Sequence, residues 1–275
     1  MSRKHNFNAG PSTLPLAALE KAAANLVDHE GLGLSVLEMS HRSKDFEAIL
    51  AHAKETLAGL LSLPADYDVL FLQGGASQQF AMVPMNLGSG GAYVTTGAWS
   101  QKALAEAKVV GEPVEIWTDK ADNFRKVPAE SEALAVPAGA PFLHYTTNNT
   151  IFGTQFHYVP KASVPLVADM SSDFLSRPID VRPFGLIYAG AQKNAGPSGV
   201  TIVVGRKSIL ESFAGPKWVP TILRYETHAK ADSLYNTPPT FGIYLCSLVF
   251  DWIRAQGGWR RWPVAPRPRP RASTT

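Results

Sequence analysis

From Asp66 onward the chain alternates short apolar runs with stretches of helical periodicity, and this alternation constrains the fold more than any other feature. Val69 to Leu72, Ala92 to Thr95, Val114 to Trp117, Phe142 to Tyr145, Leu166 to Ala168, Leu186 to Ala189 and Val200 to Val204 read as buried strands. Helical patterns follow the first two, as far as Asn86 and about Val109. Such a succession predicts an α/β protein: a mostly parallel sheet covered by helices on both faces. Upstream, Leu16, Leu19, Ala23, Leu26 and Val27 recur at helical spacing between Pro15 and Glu30. Phe46, Ile49, Leu50, Ala53, Leu57 and Leu60 line one face of a second helix, with Ser43 as its N-cap.

At 275 residues, 45% of them hydrophobic, the chain can bury a sizeable core. The lone Cys246 rules out an intrachain disulfide framework and reads as a small buried apolar residue. Cys/His clusters with zinc spacing are absent, so no metal is expected. No long apolar run follows the basic residues at the start, and the apolar run from Phe241 to Ile253 is too short to span a bilayer, so a cytoplasmic location is expected. The net charge of +3 is local. Five arginines and no acid lie between Trp259 and Thr275, leaving 21 basic against 23 acidic residues elsewhere, so whole-chain charge does not argue for a nucleic-acid partner.

In sheets of this kind ligands gather beyond the carboxyl ends of the strands, so the residues there are the informative ones. After the first strand, Gly74-Gly75-Ala76-Ser77 opens a helix; small residues and a helix N-terminus together favour an anion, although Gly-Gly ahead of a helix is often only a tight turn. The phosphate-loop and dinucleotide glycine patterns are both absent, as is the Gly-x-Ser-x-Gly elbow of a hydrolase. Trp99, in the loop after the second strand, either stacks on a flat ring or caps the core. Thr146 to Thr150 is a dense polar group at a strand end. Asp169 directly follows an apolar run, as an N-cap or as a buried charge. Lys193 enters a loop of small residues with no carboxylate within six positions, either reaching water or held where poor solvation favours its nucleophilic amine. Neighbouring parallel strands would set Asp169 beside Lys193. A buried acid, a lysine, an aromatic plate and an anion cup are together the parts of a pyridoxal-phosphate site.

With these residues assembled, the chain resembles the phosphoserine aminotransferases among the fold-type I pyridoxal-phosphate enzymes. The resemblance is carried by Asn6 to Pro11, Met39 to Ser43, Phe71 to Ser77, Ser176 to Val181 and Tyr188 to Asn194, in family order. It implies a pyridoxal 5′-phosphate cofactor bound covalently by Lys193, with Asp169 on the pyridinium nitrogen, Trp99 stacked on the ring and Thr150 near the ring oxygen. Ala76, Ser77 and Gln192 would bind the cofactor phosphate, completed by Asn236 and Thr237 of a neighbouring subunit in a homodimer. Arg42, beside His41, matches the residue that binds a substrate acid group. The implied reaction is amino transfer between glutamate and 3-phosphohydroxypyruvate, in serine and also vitamin B6 biosynthesis, with small molecules as the only other partners.

The resemblance organises the chain into an N-terminal arm (1–15), a large cofactor-binding α/β domain (16–258) and a Pro/Arg-rich tail (259–275). That tail has no apolar periodicity and is expected to be disordered. It stands where the family implies a small C-terminal domain carrying further substrate residues. The alternative expectation is accordingly a truncated chain that folds and binds cofactor, or a partner subunit, with little turnover.

Overall fold

The structure is a computed structural model that describes residues 3–213 and 215–258; the predicted tail, 259–275, lies outside the described residues. Among these, seven strands form one sheet: β1 (Tyr67–Leu72), β2 (Ala92–Thr95), β3 (Val114–Thr118), β4 (Leu143–Thr146), β7 (Leu166–Asp169), β8 (Phe184–Gly190) and β9 (Thr201–Arg206). Their order is β1-β9-β8-β7-β4-β2-β3, and only the pairs made by β9 are antiparallel. The mostly parallel sheet expected from the alternating pattern is therefore present, with each strand within two residues of its apolar run at either end.

Alternation along each strand sends side chains to two cores. Val69 and Phe71 of β1, Ala168 of β7 and Ile187 of β8 face α2 (Lys44–Leu61) and α7 (Thr240–Ala255). Leu70, Leu72, Val167 and Leu186 face the opposite way, toward α3 (Gly75–Leu87) and α4 (Ala98–Val110). The six apolar residues predicted on α2 are all buried, and the Ser43 side chain accepts a hydrogen bond from the Phe46 N–H at 3.3 Å. Cys246 is fully buried on α7, where burial pushes its thiol pKa well up.

Helix α1 (Leu16–Ala24) corrects the sequence reading. It stops well short of Glu30, and its buried residues are Ala18 and Ala22, whereas Leu16, Leu26 and Val27 are exposed. Small alanines allow close approach to α7, and of the larger predicted residues Leu19 packs beside them, half-buried. A second departure is the hairpin β5 (Asn148–Asn149) and β6 (Thr154–Gln155), formed from what reads in sequence as a polar strand end.

Candidate active site

Strands β4, β7 and β8 run parallel and in register, with Thr146 opposite Asp169 and Asp169 opposite Tyr188. Asp169 is the last residue of β7 and only 3% exposed. Ser171 donates to its Oδ1 twice, through the backbone N–H at 2.9 Å and the hydroxyl at 2.6 Å. Oδ2 has no hydrogen-bond donor among the described residues. Burial pushes the carboxyl up to about 6, against the two Ser171 hydrogen bonds; the Asp173 charge adds to the rise and the Lys193 charge opposes it. Asp169 thus combines the two alternatives: it holds the following turn and is also a buried charge.

Lys193 lies three residues past β8, half-buried, with no hydrogen bond or ion pair to its ammonium among the described residues. Its loop is fastened on both sides. Asn194 donates from Nδ2 to the carbonyls of Ser172 and Phe174, each at 3.1 Å, joining it to the loop after Asp169. On the other side Ser12 donates its backbone N–H to Gln192 O at 2.8 Å and its hydroxyl to Lys193 O. The N-terminal arm also lays Gly10 against the lysine stem, where a Cβ would come within 2.8 Å of Cδ and Cε. Lys193 and Asp169 lie at the same end of neighbouring strands, and the lysine charge is the smallest of the influences on the acid. The arm and Asn194 are contributors that sequence reasoning missed, since neither contact has a local signal.

The Gly74-Gly75-Ala76-Ser77 stretch, expected to favour an anion, opens α3. Gly74 and Gly75 have φ of +82° and +66°, a left-handed backbone that glycine adopts without strain. Ala76 is half-buried and Ser77 exposed in the first helical turn, whose backbone N–H groups lack intrahelical acceptors. Thr201 donates its hydroxyl to Gln73 O at 3.2 Å, tying this turn to β9.

Trp99 is not in a loop: it occupies the first turn of α4, half-buried, with the Lys102 ammonium 4.7 Å from its ring centroid. The Ser100 hydroxyl accepts from the N–H of Thr96 and of Gly97, at 2.8 and 3.0 Å, and so fixes the start of the helix at Ala98, one residue before Trp99. The β5–β6 hairpin docks on this same turn. Asn149 donates to Thr96 Oγ1 at 2.8 Å, and its side chain lies so close to Gly97 that a Cβ there would meet it at 2.6 Å. Thr150 is exposed at the hairpin turn and pairs with the Ser172 hydroxyl at 2.6 Å. Hairpin, aromatic helix and acid loop therefore meet at one sheet edge.

Below them Asp173, 8% exposed, is held by Thr147, Gln155 and Arg177, whose guanidinium lies at 3.0 Å and also donates to Phe156 O at 2.9 Å. This network gives the Ser176-Arg177-Pro178 motif a structural purpose that spacing alone did not reveal. Gln192 is half-buried, its carbonyl engaged by Ser12. Asn236 and Thr237 are exposed; Gln73 donates to Thr237 O at 3.1 Å, and Asn236 lines a cavity of about 160 Å³ with Gln73, Gln78 and His228. His41 and Arg42 sit in the turn before α2, with Arg42 exposed. Neither contacts the other predicted residues through a hydrogen bond or ion pair among the described residues.

Chemically, the free oxygen of a buried carboxylate suits a protonated ring nitrogen, the α3 N-terminus suits a phosphate, and the primary amine carried by the loop after β8 suits an aldehyde. The residues present fit pyridoxal phosphate.

Residues 4–262 match the model of the class-V aminotransferase family. The phosphoserine aminotransferase of Geobacillus kaustophilus is 55% identical over 94% of this chain and 72% of its own length. Among solved structures, phosphoserine aminotransferase from Bacillus circulans subsp. alkalophilus superposes with a TM-score of 0.90 at 50% identity, covering 94% of this chain and 72% of that one. The PLP-bound phosphoserine aminotransferase of Trichomonas vaginalis follows at 0.84 and 38%, over 94% of this chain and 77% of its own. The sheet order and its helical layers are those of the fold-type I enzymes. The chain belongs to the phosphoserine aminotransferase family, within the class-V aminotransferases.

Proposed function

We propose that this protein is a pyridoxal-phosphate-dependent transaminase that moves an amino group between L-glutamate and 3-phosphohydroxypyruvate, serving serine biosynthesis. The observation that carries the reading is the buried Asp169 at the end of β7, with both Ser171 hydrogen bonds on one carboxylate oxygen and Lys193 in the loop after the neighbouring strand. Pyridoxal phosphate, when bound, supplies an electron sink for the substrate α-carbon. The Asp169 carboxylate would hold a proton on the ring nitrogen. Lys193 would bind the cofactor through its amine, and that amine, fastened by its loop, would move a proton to and from the substrate α-carbon. The first turn of α3, with Ala76 and Ser77, and Gln192 would hold the phosphate, with Trp99 against the ring and Thr150 donating to it.

Arg42, with His41 beside it, takes a substrate acid group, for which a guanidinium with no ion-pair partner among the described residues is suited. Asn236 and Thr237, exposed on this chain, complete the phosphate site of a second copy in a homodimer. Residues 16–258 act as the cofactor domain and 1–15 as an arm that closes over Lys193. The enzyme works in the cytoplasm, and the same site serves vitamin B6 biosynthesis by accepting a phosphorylated hydroxythreonine. None of the described helices is long and apolar enough to cross a membrane.

The test is spectral. The purified chain with pyridoxal phosphate should show a visible band that phosphoserine converts to the amine form of the cofactor and 2-oxoglutarate restores. A band that neither substrate alters would refute the assigned reaction.

A further inference from the structure

Ser171 is assigned no role by its motif or by the functional reading above, yet it touches both halves of the site. Its hydroxyl donates to Asp169 Oδ1 at 2.6 Å and accepts the N–H of Gly190 at 3.2 Å, while its own N–H donates to the same Oδ1 at 2.9 Å. Gly190 is the last residue of β8, three before Lys193. One side chain thus ties the end of the strand bearing the acid to the end of the strand delivering the lysine.

We propose that Ser171 is a positioning residue for Asp169: it occupies Oδ1, leaves Oδ2 as the oxygen presented to a cofactor, and keeps the buried carboxyl in its charged form. Three observations favour this over a purely structural turn. Asp169 is almost fully buried, so it cannot draw on solvent to stay ionised. Both donors converge on one oxygen rather than sharing the two. The hydroxyl has its lone pair engaged by Gly190, which directs its proton to the acid. Hydrogen bonds to the charged form of an acid favour that form, and burial, which pushes Asp169 up to about 6, leaves it little margin at neutral pH. Without the hydroxyl a larger share of Asp169 would be protonated and unable to hold a proton on a ring nitrogen.

This rests on the cofactor reading, and the experiment separates the two. The full chain and its Ser171→Ala and Ser171→Thr variants are labelled with ¹³C at the aspartate carboxyl, and Asp169 is titrated without cofactor. Pyridoxal phosphate affinity is then measured at pH 5.5 on the same proteins. Ser171→Ala should raise the Asp169 midpoint by about one pH unit and, because the ionised share of Asp169 at that pH would fall from about a quarter to about 3%, weaken cofactor binding about eightfold. Ser171→Thr, which keeps the hydroxyl, should restore both to within about twofold of the parent. An unchanged Asp169 midpoint in Ser171→Ala, or a threonine variant that behaves like alanine, overturns the proposal. A shifted midpoint with unchanged cofactor affinity sustains the serine–aspartate link but refutes its role toward the cofactor. If Ser171→Ala loses its far-UV circular dichroism, Ser171→Cys, a weak donor of similar shape, is read by the same criteria.

Discussion

Replacing Asp169 with asparagine should make the cofactor-free protein more stable above pH 6, and most of the gain should vanish at pH 4. The folded-state carboxyl is pushed from 3.8 up to about 6, chiefly by burial. Between those values the folded chain keeps a proton that the unfolded chain has released. Protonation therefore favours folding below about 4, and that contribution is lost as pH rises through 6. The interval corresponds to about 3 kcal/mol, of which about 2–3 kcal/mol falls between pH 4 and pH 8. Asparagine is nearly isosteric and its Oδ1 can accept both Ser171 hydrogen bonds, so the substitution removes the charge with little repacking. The assay is urea unfolding of both proteins at pH 4 and pH 8, without cofactor, taking the difference of differences. Equal pH dependence in the two proteins would refute the burial argument. The same variant should lose cofactor affinity, because the cost of a buried charge is retained for what it binds.

Other perturbations test how the surrounding parts are held. Gly97→Ala sets a Cβ at 2.6 Å from the Asn149 side chain and should cost about 1–3 kcal/mol in chemical denaturation, with loss of order at the β5–β6 hairpin by hydrogen exchange. Arg177→Met leaves Asp173 buried without its cation; because the guanidinium is 38% exposed, the loss should be about 2 kcal/mol, below the range for fully buried pairs, and it should diminish as pH falls and Asp173 protonates. Gly10→Ala crowds the Lys193 stem at 2.8 Å and should slow cofactor capture, about tenfold by stopped-flow absorbance, with little change in thermal stability.

The framework of this site was legible because parallel sheets place function at strand ends. Asp169 ends one apolar run and Lys193 follows the next by three residues, so strand order predicts that both lie at the same end of the sheet, and the glycines before α3 mark a helix start after another strand of that sheet. What could not be read were contacts between distant segments of weak pattern. Ser12 and Gly10 belong to an arm without periodicity, and Ser171 looks in sequence like any turn serine. Trp99 reads in sequence as part of the loop after β2, whereas the Ser100 hydroxyl accepts the Thr96 and Gly97 N–H groups and the helix begins at Ala98. On α1 the packed face is made of Ala18 and Ala22 with Leu19 beside them, and a pattern weighted to large apolar residues picks out Leu19 but misses the alanines. The hairpin at Asn148 is held by hydrogen bonds to Thr96, invisible to any hydrophobic pattern.

The central claim is that Lys193 carries the cofactor covalently. Borohydride reduction of the chain loaded with pyridoxal phosphate, followed by peptide mass mapping, tests it directly. The account predicts one reduced cofactor per chain on the peptide containing Lys193, and loss of both the adduct and the visible band in Lys193→Ala. An adduct on another lysine, or a band that survives in Lys193→Ala, would contradict it.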